Sequence, residues 1–210
     1  MAVAAPAPPA SSQPTTAHVA GAIDVALWEQ LLAEGLFPQS GHFELHDGVI
    51  VKKDRSGPGE DMMAISLEHM VTTKKLGRLD ARVGEFGFHV ATQQPVITGN
   101  LREPEPDASF LRGDIDDFLT RKPLATDAAC VVEVAQSSLA TDRNRKLATY
   151  ATAGIPQYVI LNLIDRQAEV HTDPTPDGTY GRREVVAADG TLTLVLDEHR
   201  LDVPLAGLLP

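Results

Sequence analysis

The sequence predicts an α/β domain: a mixed central β-sheet flanked by helices and carrying additional β-hairpins. Three observations predict it. The run Cys130-Val131-Val132, ending in Glu133-Val134-Ala135, is short, apolar and rich in β-branched residues. That composition fits a buried strand better than a helix, which needs more length. A helix-like segment follows, and then a second near-continuous apolar run at 157–163. Strand, helix and strand in that order imply parallel pairing through a right-handed crossover. Hairpin signals lie on either side, at Asp47-Gly48 and at Asp165-Arg166, so antiparallel strands flank the parallel pair.

Taken in order, residues 1–20 are of low complexity, with Pro6, Pro8, Pro9 and Pro14 and no acid, lysine or arginine. They are expected to form a disordered tail. Residues 21–210 are expected to form one domain, because a chain of 210 residues buries one core well and leaves little for a second. Asp24 caps a short helix that sets Val25, Trp28, Leu31 and Leu32 on one side and stops at Gly35. Trp28 reads as a core anchor. In the hairpin around Asp47-Gly48, strand alternation puts Glu44 on the face opposite Phe43 and Leu45. Residues 53–61 read as a polar, glycine-rich loop. Ser66 can cap a long helix through Gly84, with Leu67, Met70, Val71, Leu76, Leu79 and Val83 as its apolar positions. His69 falls in its first turn, where a histidine is ordinarily a structural hydrogen-bonder or solvated. Lys74, Lys75, Arg78 and Arg82 are the densest basic cluster. A solvated face is the default for such a cluster, with contact to phosphate as the alternative.

Further strands are expected at 88–97, where Pro95 implies an edge or bulge, and at 106–111. Asp114, Asp116 and Asp117 lack the glycine and terminal glutamate of a calcium loop and read as turn and cap residues. After the Cys130 strand, Thr141 is the expected N-cap of a helix that Gly154 and Pro156 stop. Strands at 168–171, 184–187 and 191–196 follow, and residues 203–209 form a short apolar cap. No internal repeat is present.

Composition narrows the function classes. No apolar run reaches the ~20 residues that span a bilayer, and the N-terminus lacks the basic and apolar blocks of a secretory signal. A formal charge of −11 argues against a broad non-specific nucleic-acid surface, which needs lysine and arginine to neutralise phosphates. The single cysteine, Cys130, makes no internal disulfide. It reads as a small core residue and is compatible with a reducing cytoplasm.

The chemistry concentrates between Pro106 and Tyr150. A carboxylate at Glu133, inside an apolar strand, is expensive unless something compensates it. Asp107 opens another apolar segment. If the two acids meet at ~4 Å, their repulsion is roughly 4 kcal/mol at an effective dielectric near 20. A divalent cation or a lysine removes it. Asp142, Lys146 and Tyr150 are spaced i, i+4, i+8 and so share one helix face, separated from Glu133 by a short loop.

The ordered set Pro106-Asp107, Val132-Glu133-Val134-Ala135-Gln136-Ser137-Ser138, Asp142, Lys146, Tyr150 and Gly154-Ile155-Pro156-Gln157-Tyr158 resembles the Uma-two family of restriction-endonuclease-like proteins. That family lies within the PD-(D/E)XK nuclease superfamily. The likeness extends upstream to Phe43-Glu44-Leu45-His46-Asp47-Gly48 and His69, covering about residues 22 to 209. The resemblance implies a restriction-endonuclease-like fold and a Mg²⁺ site (Mn²⁺ as substitute), with Asp107 and Glu133 as side-chain ligands and Val134 as carbonyl donor. Glu44 would assist directly or through water. The superfamily lysine two residues after Glu133 is replaced by Ala135, and the resemblance implies that Lys146 takes its place from the helix. Asp142 would hold Lys146. His69 would line the site. Tyr150 either donates into it or packs, and Gln136 either lines it or closes the turn. The expected function is Mg²⁺-dependent endonuclease action on DNA, by a cytoplasmic homodimer. Two other classes stay open. One is a homodimeric nucleic-acid- or protein-binding member with weak or lost chemistry. The other is a hydrolase of smaller phosphate esters.

Overall fold

A computed structural model describes residues 21–37, 43–52 and 66–210. The tail of residues 1–20 and the loop at 53–61 lie outside the described residues.

Helix α1 (Val25–Ala33) begins where Asp24 accepts the Leu27 N–H at 2.8 Å, and it buries Trp28 while leaving Leu32 exposed. Strands β1 (Phe43–His46) and β2 (Val49–Lys52) form a two-stranded hairpin. Its turn at Asp47-Gly48 uses positive φ at both residues. Gly48 has φ +76, and a Cβ there would meet the Ala22 Cβ at 2.6 Å. Gly48→Ala is therefore expected to lose about 1–3 kcal/mol of stability through backbone strain and overpacking. Urea denaturation measures it, and an unchanged midpoint would show that the N-terminal segment does not press on this turn.

Helix α2 (Leu67–Gly77) is capped by Ser66, whose hydroxyl accepts the His69 N–H at 3.1 Å. The long helix expected through Gly84 is broken. Gly77, a weak helix former, ends α2, the chain makes an i→i−3 turn at Leu79, and α3 (Asp80–Gly84) follows. The strand expected at 88–97 is β3 (Phe88–Thr92) alone. Gln93 takes φ 52, and Pro95 has no N–H for a ladder.

The main sheet then accumulates β4 (Ala108–Arg112), β5 (Ala128–Ala135), β6 (Gln157–Asn162), β7 (Gln167–Pro174) and β8 (Tyr180–Ala187), in spatial order β3-β4-β5-β6-β7-β8. Only β5 and β6 pair in parallel; all other neighbours are antiparallel. The crossover between them is a continuous helical stretch: α4 (Leu139–Thr141), a π-helical turn at Asp142–Lys146, and α5 (Leu147–Thr152). It starts at Leu139 rather than after Thr141, which already has helical dihedrals. Strand β9 (Thr191–Leu196) pairs with β10 (His199–Pro204), and α6 (Leu205–Leu208) closes the chain. β10 was not expected: the apolar cap read at 203–209 overlaps only its last two residues, and α6 lies within the remainder. The signal for β10 was the alternation of Leu201 and Val203 with polar residues after a turn at Asp197, which has φ 55.

Every residue of β5 is buried, and its two faces enter different cores. Cys130, Val132 and Val134 pack with Leu76, Val159, Leu161 and the β9–β10 hairpin. Val131 and Ala135 pack with Tyr150, Ile155, Tyr158 and Ile160 beneath the crossover helix. Alternation puts Glu133 on this second face. The Cys130 thiol is buried and its pKa pushed up by burial.

A second buried acid, Glu169 of β7, is clamped by Arg143 and Arg183, both at 3.0 Å, with Asn162 at 3.3 Å. Burial alone raises its pKa, but these donors outweigh it and bring the carboxyl from 4.5 to about 2. A depressed folded-state pKa means the stabilisation is full above the unfolded value and is lost as pH falls toward 2. Glu169→Gln is expected to lower the melting temperature at neutral pH and to flatten its fall between pH ~4.5 and ~2. Parallel acid melts of the two proteins would show this, and identical slopes would exclude Glu169 from acid unfolding.

Candidate active site

The site forms where β5, the residue leading into β4, β1 and the crossover helix meet. Asp107 is buried, and its Oδ2 accepts the Val134 N–H at 2.8 Å and faces His69 Nε2 at 3.1 Å. This bond ties Asp107 to the residue next to Glu133. Along β5, Ala135 turns its carbonyl toward the β6 side, where it accepts the Leu163 N–H. Neighbouring residues of a strand point their backbone groups to opposite sides, so the Val134 carbonyl turns to the β4 side, the side on which its N–H meets Asp107.

From the other direction comes Lys146. Its side chain is 6% exposed, and its Nζ lies 2.8 Å from Glu133 Oε1, 3.8 Å from Glu44 Oε1 and 3.8 Å from Asp142 Oδ1. The carrier is the π-helical turn, a form concentrated at functional sites because it widens a helix locally. Ser138 anchors that turn, its hydroxyl donating to Asp142 Oδ2 at 2.6 Å, while the Tyr158 hydroxyl donates to the Asp142 backbone carbonyl at 3.1 Å. Burial pushes the Lys146 pKa down. The charges of Glu133, Glu44, Asp142 and Asp107 together push it up by more, so the ammonium stays protonated beyond the ordinary lysine range. Tyr150 donates to the same Glu133 Oε1 at 2.7 Å. Burial first, and then the Glu133 charge, hold its phenol well above its usual pKa, so it remains a donor.

Glu44 enters on β1, which lies outside the main sheet. Leu45 exchanges backbone hydrogen bonds with Glu103 at 3.2 and 2.8 Å. The Glu105 N–H then reaches Glu44 Oε1 at 2.9 Å, two residues before Asp107. The 103–105 segment is itself held by Lys122, which bonds Glu103 at 2.7 Å and also Glu29 of α1. His46 completes the surroundings, with Nε2 at 2.7 Å from Glu44 Oε2.

The structure thus brings Asp107, Glu133, Lys146, Glu44, Asp142, Tyr150, His69 and Val134 together. Gln136 stands at the rim, its amide donating to Glu68 of α2 at 3.3 Å. The basic cluster is elsewhere in part: Lys75 holds the Leu209 carbonyl and Arg82 that of Asp202, which ties them to the C-terminal end. Sequence reasoning gave no role to His46, Ser138 or Tyr158, which it met only as part of the resemblance, and missed the Glu105 N–H. His46 had a signal, since two residues from Glu44 is the same strand face, and Ser138 stands four before Asp142. The Glu105 N–H had none, because only tertiary pairing directs a backbone group.

The donor chemistry suits a hard divalent cation. Four carboxylates act on one ammonium, and oxygen donors suit hard divalent cations such as Mg²⁺, Ca²⁺ or Mn²⁺ rather than softer metals. Among the described residues no group of three His, Cys, Asp or Glu side chains forms a ready-made metal cage. Mg²⁺ does not require one, since it keeps several waters and is held by one or two carboxylates with substrate phosphate. Asp107 and Glu133 fit that role.

A six-stranded mixed sheet with helices on its faces and added hairpins makes this an α/β domain, with buried acids beside a lysine at its site. The chain shares its fold with a solved structure titled a putative nuclease belonging to DUF820 from Anabaena variabilis ATCC 29413. The TM-score is 0.60 and the identity 15%, over 85% of this chain and 98% of that one. Residues 28–204 match the Uma2 family, described as putative restriction endonuclease, and the chain belongs to that family. No curated protein matches it. No helix among the described residues is long and apolar enough to cross a membrane.

Proposed function

We propose that this protein is a Mg²⁺-dependent endonuclease, with Mn²⁺ as a substitute, that hydrolyses DNA phosphodiester bonds. The observation that carries the reading is the Lys146 ammonium, 2.8 Å from Glu133 and surrounded by further acids. Hydrolysis joins a water oxygen to phosphorus and breaks the bond from phosphorus to a sugar oxygen. The attacking water loses a proton and the departing oxygen gains one. The bound cation would supply Lewis acidity and a lowered pKa for coordinated water. Asp107, Glu133 and the Val134 carbonyl would hold it, with Glu44 assisting. Lys146, kept protonated, is no base. It orients the attacking water as a donor and sets positive charge against the negative charge that develops on the phosphoryl oxygens. Asp142 keeps Lys146 in place from below, Tyr150 fixes the Glu133 oxygen that Lys146 shares, and His69 orients Asp107. Gln136 lines the entrance.

The protein would act in the cytoplasm as a homodimer. Its single reduced cysteine supports the compartment, and the outer strands β3 and β8, which need cover, support pairing. Residues 21–210 would form one domain. A cleavage panel with plasmid and oligonucleotide DNA across divalent metals, with Lys146→Ala as control, tests the reading. Cleavage that needs metal and Lys146 is expected, and cleavage independent of either would refute it. The acidic net charge and Ala135 in the superfamily lysine position favour one alternative, a binding member of the same fold without chemistry. Such a member would retain DNA or protein binding while cleaving nothing under any metal.

A further inference from the structure

We infer that His46 is a positioning residue that holds the Glu44 carboxylate away from Lys146, an assignment that rests on the nuclease reading above. Both side chains are buried, at 3% and 4% exposure, and their contact of 2.7 Å is short. They project from the same face of β1. An ionised carboxylate only accepts, so the shared proton sits on His46 Nε2. His46 Nδ1 is also buried and has no hydrogen-bond partner among the described residues. The short contact to a carboxylate oxygen therefore makes Nε2 the donating nitrogen of the ring.

The consequence lies at the ammonium. Glu44 Oε1 accepts the Glu105 N–H and stands 3.8 Å from Lys146 Nζ, whereas Glu133 stands at 2.8 Å. His46 holds the other Glu44 oxygen, Oε2. Two opposed anchors, a backbone N–H and an imidazole N–H, thus fix the carboxylate plane. Without His46 the carboxylate turns about its last torsion and competes with Glu133 for Lys146. Histidines that orient a site carboxylate in this way typically change metal affinity or activity by 10–100-fold when removed.

His46→Leu keeps apolar volume and removes the donor, while His46→Gln restores an N–H at a similar reach. His46→Leu is expected to lower kcat for DNA cleavage by about 10–100-fold with KM nearly unchanged, and to weaken Mn²⁺ binding in calorimetry by a similar factor. His46→Gln recovers most of both. If the two variants lose thermal stability equally and keep the wild-type kcat, His46 merely packs and the inference is overturned. Nitrogen-15 NMR of the metal-free protein separates this from failure of the nuclease reading. The His46 ring should report the Nε2–H tautomer, and Glu44→Ala should remove that preference. A protein that cleaves nothing but shows this signature loses the nuclease reading and keeps the His46–Glu44 bond. An Nδ1–H tautomer overturns the inference whatever the cleavage assay shows.

Discussion

Lys146→Ala abolishes metal-dependent cleavage and costs about 3–5 kcal/mol of stability, the usual penalty for removing one partner of a buried ion pair. The expectation follows from its neighbours. The ammonium touches Glu133 at 2.8 Å and faces Glu44 and Asp142 at 3.8 Å, all within the interior. Its loss leaves carboxylates in low dielectric with less compensation. Loss of fold could imitate loss of chemistry, so the double variant Lys146→Met with Glu133→Gln completes the experiment. Removing both members of a buried pair restores most of the stability that one removal forfeits. The double variant should therefore melt above Lys146→Ala, though below the unaltered protein because Glu44 and Asp142 still lack the ammonium, and should cleave nothing. Cleavage by either variant at the original rate would sink the role given to Lys146. Full stability of Lys146→Ala would contradict the electrostatics instead.

Asp107→Asn is the second large effect. It should remove the specific heat of Mg²⁺ or Mn²⁺ binding and lower cleavage by at least 10²-fold, about 2.7 kcal/mol of transition-state stabilisation at 1.36 kcal/mol per decade. One Asp107 oxygen serves the Val134 N–H and His69 together. The amide keeps a single acceptor oxygen and replaces the other with a donor, so the charge that attracts a cation is gone while most of the packing stays. Isothermal titration of both proteins with each metal is the measurement. A binding scaffold without chemistry predicts no site-specific heat to lose, and equal isotherms would favour it.

Much of the fold was legible because burial leaves a plain trace in composition. The run around Val131 reads as strand β5 because β-branched residues without polar interruption have no other economical place. The helix between β5 and β6 is confined by Gly154 and Pro156, which permit no continuation. The hairpin turn at Asp47-Gly48 was visible from residues that tolerate positive φ, and the one at Asp165-Arg166 from the polar pair between two apolar runs. Long-range effects on local elements were not visible. The break between α2 and α3, the short reach of β3 and the strand β10 depend on what each segment meets. The π-helical turn at Asp142–Lys146 had no local signal, since it is sustained by Ser138 and Tyr158 from outside it.

For the site, sequence by itself determined the chemical inventory: acids at 107 and 133 in apolar surroundings, a lysine on a helix face with Asp142 and Tyr150, and an acid on an early hairpin. Residue type and spacing are local properties, so they can be read without coordinates. Only the tertiary structure decided which atoms meet. It set the Val134 N–H against Asp107, hung β1 on the 103–105 segment so that Glu44 enters, and placed His46 behind Glu44. Those contacts join elements far apart in the chain, and hydrogen-bond geometry exists only once the backbones have docked.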